Sequence, residues 1–345
     1  MKFRFGFTNE TGAASKFLET APFTVLPPDP NASVQLDLGD QFIFAGAAGD
    51  KGEIFAMSMT TGEAIRVSPD SLGADCPVVS HDGRRILFVG NSDVWVMKSD
   101  GSEMRRVMPR PSDDAWFHRC PSWSPDDKRF VWVTMVPMVK QPSPGAIYLV
   151  DVETGAATTL MTGSNFSSAD WSPDGQHILV GANQYTDGGP YDFSVSVLRL
   201  DGTKISQVAA STWGASWAPD GASFGYLCGE SVLSLCVADT TGANVRLVTD
   251  SVYSKPYWSP DGGRIAFIGN GGVYLVSVDG RARRMLYPVK PSFDITWSPD
   301  ARRIAWACGG GSNGNDICRI GADGTGFFRM QTTVSAAQIT WPPLM

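Results

Sequence analysis

The sequence is poor in charge. Asp, Glu, Lys and Arg make up 18% of its 345 residues, and acids exceed bases to leave a net charge of −7. A nucleic-acid binder needs a basic face to neutralise phosphates, so that class is set aside. No apolar run is long enough to cross a membrane as a helix. The opening stretch MKFRFGFTNETGAASKF lacks the apolar centre of a secretory leader. The chain is therefore expected to be either cytosolic or a mature form. Histidine occurs only three times and CxxC never, which speaks against a zinc site. No P-loop occurs, no dinucleotide fingerprint survives inspection of its context, and the spaced ligands of an EF-hand are missing. Neither a cofactor nor a metal is expected.

What the chain does have is turns and aromatics. There are 37 Gly and 23 Pro, and Phe, Trp and Tyr reach 11%. Frequent turns between β-rich runs point to an all-β fold. One phrase recurs: WSPDDKRFVW (123–132), WSPDGQHILV (171–180), WAPDGASFGY (217–226), WSPDGGRIAF (258–267) and WSPDARRIAW (297–306). A degenerate copy is VSHDGRRILF (79–88), and a truncated TWPPLM ends the chain. The Pro or His positions fall 39–48 residues apart, the period of a four-stranded propeller blade. A second column of Gly turns recurs at Gly62, Gly101, Gly155, Gly202, Gly242, Gly280 and Gly324. A third column closes the second strand with Phe44, Phe88, Trp132, Val180, Tyr226, Phe267 and Trp306.

Each unit thus reads as strand A, a Ser-Pro-Asp-Gly turn, strand B, a loop, strand C, a Gly turn and strand D. Pro presets φ, Asp bonds its own backbone and Gly accepts positive φ, which suits the A–B turn. The Trp before the turn and the aromatic of strand B are expected to pack between blades. The fold class is an all-β, seven-bladed propeller of antiparallel four-stranded blades, with six or eight blades as the alternatives. Residues 33–345 form it, and residues 1–32 are a tail or an outer strand. Strand A of the first blade is expected from the C-terminal AQITW (337–341), with SVQLDL (33–38) as its rival.

Over residues 36–345 the repeated W-S-P-D-G phrase resembles the TolB-type, WD-like propeller repeat. The motif is specific for the fold and poor for function. The resemblance implies relatives as different as TolB, the gating domains of prolyl-oligopeptidase-type and tricorn proteases, receptor-kinase ectodomains and some polysaccharide lyases. TolB has six such blades and an additional α/β domain, so its role is not carried over.

Tight repeated turns occupy one face of such a disc. The irregular loops, including 108–119, 134–145 and 183–192, occupy the other, where function is expected. Candidate ligand-binding aromatics there are Trp116, Phe117, Phe166, Trp213, Tyr253 and Phe293, with Tyr287 in the same class of crossing. Polar candidates are His118, Arg119, Asp170, Lys255, Asp294 and Gln338. Two plain alternatives stand beside them: aromatics that cap inter-blade cores, and polar groups that merely solvate a wet tunnel. The apolar MVPMV (135–139) is either a partner surface or packs back on the disc.

The six cysteines are placed in columns. Cys228 with Cys236 and Cys308 with Cys318 repeat one pair across one hairpin, and both are expected as disulfides. Cys76 and Cys120 share a column in adjacent blades, and their pairing is open because reach is in question. Disulfides imply an oxidising compartment, so a periplasmic or secreted location is expected, with a cytoplasmic protein holding free thiols as the alternative. Sequons at Asn9, Asn31 and Asn165 are near chance for this length.

The expected function is non-catalytic binding of a protein, peptide or glycan by a monomer, on the loop-rich face and channel mouth. The enzyme alternative is a polysaccharide lyase acting on a uronate glycan. There Arg119 would neutralise a carboxylate, while His118, Tyr185 or Tyr191 would move protons. A third alternative is an accessory or scaffold domain of a larger envelope system.

Overall fold

The computed structural model describes residues 41–342, apart from 48–51, 59–63, 70–71, 111–116, 119, 136–144, 164, 185–191, 212–213, 230, 289–290, 310–314 and 331–334. The described residues form seven antiparallel sheets and no helix. Blade 2 shows the plan: strand A (Ala74–Val79), B (Arg85–Gly90), C (Asp93–Lys98) and D (Arg105–Met108), paired in that order. Blades 4 to 7 follow it, with inner strands at Asn165–Trp171, Ala215–Trp217, Tyr257–Trp258 and Pro291–Trp297. Blade 3 has a divided inner edge, Phe117–His118 and Ser122–Trp123, both paired with strand B, Arg129–Met135. The strands B run past their aromatic column by up to four residues, as in Arg303–Gly309 beyond Trp306 or His177–Gln184 beyond Val180.

Blade 1 takes its inner strand from the other end of the chain. Ser335–Thr340 pairs antiparallel with Gln41–Ala47, so the C-terminal strand closes the ring as expected. The rival segment 33–38, like residues 1–32, lies outside the described residues.

The core is divided among the seven junctions between blades. Each hydrophobic cluster draws on two neighbours: Ile43 and Ile54 with Ile86 and Phe88, for example, or Ala266 and Leu275 with Trp297 and Trp306. All seven residues of the strand-B column are buried. The Trp column ties neighbours together in two further ways. Indole Nε1 donates backward to the preceding blade, from Trp123 to Val78 O (2.9 Å), Trp217 to Asp170 O (3.1 Å) and Trp297 to Tyr257 O (2.9 Å). The residue that opens strand B then covers the next blade's indole. Arg85 lies over Trp123 at 5.2 Å, Arg129 over Trp171 at 5.0 Å and Arg264 over Trp297 at 5.3 Å, in cation–π contact.

The Ser-Pro-Asp-Gly turn is a small hydrogen-bonded unit. Ser259 is fully buried, its Oγ donates to Asp261 Oδ1 (2.5 Å), and Arg264 N donates to Ser259 Oγ (2.9 Å). Ser80, Ser124, Ser172 and Ser298 repeat the contact to their own aspartates. The last turn residue needs positive φ, which Gly262 supplies at 69°. Asp127 adopts it at 55° in blade 3, where its carboxylate accepts the amide of His81 at 2.8 Å. That amide exists because His81 stands where other blades have proline.

Three disulfides are formed: Cys228–Cys236, Cys308–Cys318 and Cys76–Cys120. The open question of reach resolves in favour of pairing, because the inner strands bring Cα76 and Cα120 to 5.0 Å.

Candidate functional site

Inner strands converge on the central channel, so their residues set what it presents. Counting back from the Trp column, the third position holds Cys76, Cys120, Ser168, Gly214, Lys255, Asp294 and Gln338 in turn around the ring. The position just before the column holds Val78, Ser122, Asp170, Ser216, Tyr257, Thr296 and Thr340. In blades 3, 5 and 6 the first of these positions, Cys120, Gly214 or Lys255, precedes the inner strand, and in blades 2 and 7 a shift of register spans it.

Most of these side chains bond the neighbouring blade. Ser216 Oγ donates to Pro256 O (2.7 Å) and Thr340 Oγ1 donates to Pro77 O (3.0 Å). Trp171 N donates to Ser122 Oγ (3.1 Å), and Trp341 N donates to Thr296 Oγ1 (3.2 Å). Gln338 Oε1 accepts Cys76 N (2.8 Å), and the Cys76–Cys120 disulfide carries the tie on to blade 3. Blades 1, 2 and 3 are thus laced together at the channel rim.

The lacing also joins blades 3 and 4, 5 and 6, and 7 and 1, and charge enters the two columns in blades 4, 6 and 7. Tyr257 OH donates to Asp294 Oδ1 at 2.6 Å. Burial raises the Tyr257 phenol well above its ordinary value, and the negative charge of Asp294 adds to the rise. Lys255 is exposed, with Nζ 5.4 Å from the centre of the Tyr257 ring. Asp170 is enclosed by protein yet keeps partial access to solvent, as a channel-wall residue does. Burial pushes its carboxyl above the usual range, and the positive charge of Lys255 offsets part of that.

The sequence-derived candidates divide as follows. Asp170, Asp294 and Gln338 lie in inner strands, and Lys255 lies two residues before one. Tyr253 is 57% exposed on the crossing just before Lys255. Phe166 is a correction: it is 2% exposed and packs in the junction of blades 3 and 4 with Val131, Val133 and Trp171. It starts an inner strand, and its neighbour across the junction covers it. Tyr287 likewise leaves the mouth, since it lies in strand D of blade 6 (Arg284–Pro288) and stacks on Phe327 at 4.1 Å. Phe117 and His118 lie in the extra inner piece of blade 3, paired with Met135 and Thr134. Phe293 lies in the inner strand of blade 7. Trp116, Arg119, Tyr185, Tyr191 and Trp213 lie outside the described residues, as does most of the MVPMV stretch. Residues 310–314, GGSNG, match the spacing of a serine-nucleophile elbow. They lie outside the described residues; the strands on either side, Arg303–Gly309 and Asn315–Gly321, pair antiparallel, whereas that elbow joins a strand to a helix.

Two residues of the wall were missed at the level of sequence. They are Tyr257 and Gly214, which the sequence reading does not single out. The signal available was the column itself, read around the ring.

No family model matches the chain. An uncharacterized protein of Agrobacterium fabrum is 24% identical over 198 residues, which is 52% of this chain and 62% of that protein, so the match spans less than two thirds of the relative. Among solved structures, oligogalacturonate lyase from Vibrio parahaemolyticus aligns with a TM-score of 0.62 at 14% identity, over 78% of this chain and 83% of that one. An oligogalacturonate lyase in complex with manganese gives 0.64 at 15%, over 86% of each. TolB from Acinetobacter baumannii gives 0.53 at 15%, over 87% and 82%. These likenesses establish the propeller fold. Among the described residues, no three His, Cys, Asp or Glu side chains gather as a metal site, so no manganese ligands are assigned.

Proposed function

We propose that the protein is a non-catalytic binding propeller that engages a protein, peptide or glycan at the channel mouth on its loop-rich face. The observation that carries this is the contrast around the inner ring. Side chains all round the inner ring lace neighbouring blades, Ser122, Ser216, Tyr257, Thr296, Gln338 and Thr340 among them, whereas Asp170 and Lys255 make no hydrogen bond or ion pair through their side chains among the described residues. Unpaired charge on a rigid concave wall is what a binding site needs and a mere scaffold does not. The likeness to TolB fits a partner-binding role, and the three disulfides fit a periplasmic or secreted location. An envelope accessory role would place the same surface in a larger assembly.

The likeness to two oligogalacturonate lyases keeps a second reading in play, with His118, Arg119, Tyr185 and Tyr191 as its acid, base and carboxylate groups. One experiment separates the two. Purified protein is incubated with oligogalacturonates and followed by ultraviolet absorbance for unsaturated uronate, in parallel with a glycan array and crosslinking to envelope extracts. The binding reading expects captured ligand and no unsaturated product. Product that disappears in His118→Ala would replace it with the lyase.

A further inference from the structure

The outermost strands hold a second contrast around the ring. In blades 7, 1 and 2, strand D carries an arginine that pairs with an acid 13 residues earlier, on strand C: Arg329 with Asp316 (2.8 Å), Arg66 with Glu53 (3.2 Å) and Arg106 with Asp93 (3.2 Å). In register these arginines stand across from Cys318, Phe55 and Trp95. The same register position holds Thr159 in blade 3 and Gln207 in blade 4, both polar. In blades 5 and 6 it holds Leu247 and Met285, across from Cys236 and Tyr274. Ser234 and Gly272 stand where the acids would be. Leu247 is 64% exposed, Met285 is 49% exposed, and Val245 is exposed two residues before Leu247. Charge ordinarily guards an outer edge, because an open edge invites another strand. At this position the guard is missing from two adjacent blades.

Strand D of blade 5, Arg246–Asp250, is the last of its sheet, and no other strand among the described residues pairs with it. Arg283, just before strand D of blade 6, fastens it: the guanidinium donates to Thr249 Oγ1 (3.0 Å) and to Asp250 Oδ1 (2.9 Å). Across 243–250 and 281–288 four arginines stand against one aspartate, on a chain of net charge −7. Asp250 answers Arg283, and Asp279 of the preceding turn lies 3.6 Å from Arg281. Arg246 and Arg284 donate to backbone carbonyls, of Val278 and of Ala322 and Asp323, and form no ion pair among the described residues. A locally basic edge on an acidic protein selects an acidic partner, whereas an isologous dimer would bring the same basic rim to itself. We propose that the open edge of blade 5, beside blade 6, docks an extended segment of a partner protein in which acidic and apolar residues alternate, and that this segment adds to Arg246–Asp250 as a fifth strand. Its backbone pairs with the edge, its apolar side chains meet Val245 and Leu247, and its carboxylates meet a rim rich in arginine. The surface lies on the circumference and stands independently of the channel mouth.

The test is fluorescence anisotropy of the intact protein with a short labelled peptide of alternating valine and glutamate. That peptide is expected to bind. Its lysine counterpart, and a copy N-methylated at alternate residues so that it cannot pair along an edge, should each bind at least about tenfold more weakly. Leu247→Asp should weaken the glutamate peptide by a similar factor, with cooperative unfolding confirming that the variant folds. Ile65→Asp, at an exposed apolar residue of strand D in blade 1, should leave binding unchanged. No binding of the glutamate peptide, or equal binding of either analogue, would overturn the inference, as would binding that ignores Leu247→Asp. Self-association of the protein that Leu247→Asp abolishes would also overturn it, by making a second copy the occupant.

Discussion

Closure of the ring by the last strand makes Trp341 a test of how the fold is held. It is 8% exposed, and its ring meets Phe42 edge-on at 4.4 Å across the seam between the two ends of the chain. Arg303 of blade 7 lies 5.9 Å from its centre. A buried Trp removes about 200 Å² from water, worth about 5 kcal/mol at 25 cal/mol per Å². Measured losses for large aromatic truncations run about 3–5 kcal/mol. The cation–π contact with the half-buried Arg303 adds about 0.5 kcal/mol. The backbone bond from Trp341 N to Thr296 Oγ1 survives the substitution, and partial relaxation around the cavity keeps the cost at the low end of that range. Trp341→Ala is therefore expected to cost about 3 kcal/mol. Urea unfolding followed by intrinsic fluorescence reads this as a lower midpoint at an unchanged slope. The double variant with Phe42→Ala should show a coupling of about 1 kcal/mol. A loss under about 1 kcal/mol with no coupling would mean that the terminal strand is an ornament and that six blades plus a partial one stand alone.

Three further outcomes follow from the same structure. Serine replacement of Cys76 and Cys120, which close a loop of 44 residues, should lower thermal stability more than loss of Cys228–Cys236, which closes 8. Chain entropy puts the two at about 4 and about 2.5 kcal/mol, and equal melting temperatures would refute that ordering. Asp170→Asn should raise the melting temperature at neutral pH. The folded-state value of Asp170 is raised, so its ionised form is a cost that is full above that value, fades as pH falls through it and is gone below the unfolded value near about 3.9. The gain should vanish in acid, and a loss at neutral pH would show that the carboxylate is structural. The turn aspartates carry the opposite sign. Serine hydrogen bonds hold Asp126 and Asp261 below the ordinary carboxylate range; in Asp82, Asp174 and Asp300 burial pushes upward, and the serine bond, a backbone amide and neighbouring charge together outweigh it. Their stabilisation is full above the unfolded value and lost as pH falls through the folded values. Ser259→Ala should lower stability at neutral pH by about 2 kcal/mol and shrink that acid dependence, as midpoints measured across pH would show.

Much of the scaffold was legible in the sequence because it is written seven times. Turn chemistry at Ser259–Gly262 depends on neighbours in sequence, and so does the buried role of Phe267 on its strand. Closure by residues 337–341 was legible for a different reason, since the repeat was interrupted at a definite place. The residue that opens strand B was not recognised, although Arg85, Arg129, Arg264 and Arg303 stand in one column. Its role appears only when the next blade's indole is set beside it. Phe166 misled for the same reason. Five residues before a Trp, an aromatic can face the mouth or the junction, and packing against Val131 decides for the junction.

The wall of the channel shows where a repeat stops being informative and its exceptions begin to be. A scaffold position answers the same mechanical demand in each blade, so it repeats: Ser at the turn, an indole before it, a large side chain in strand B. The position three residues before the indole reads Cys, Cys, Ser, Gly, Lys, Asp and Gln around the ring. No single mechanical demand selects that set. Part of it is explained by local lacing, since Cys76, Cys120 and Gln338 bind one another's strands and Asp294 holds Tyr257. What lacing leaves over is Lys255 beside Gly214, with Asp170 one blade further round. The glycine is what lets the Lys255 backbone and Cβ pack against blade 5, so Gly214 answers a local demand of close packing, and the charge of Lys255 is what the scaffold leaves unexplained. In a repeat protein the site is therefore to be sought where blades differ at a position that the fold would otherwise hold constant.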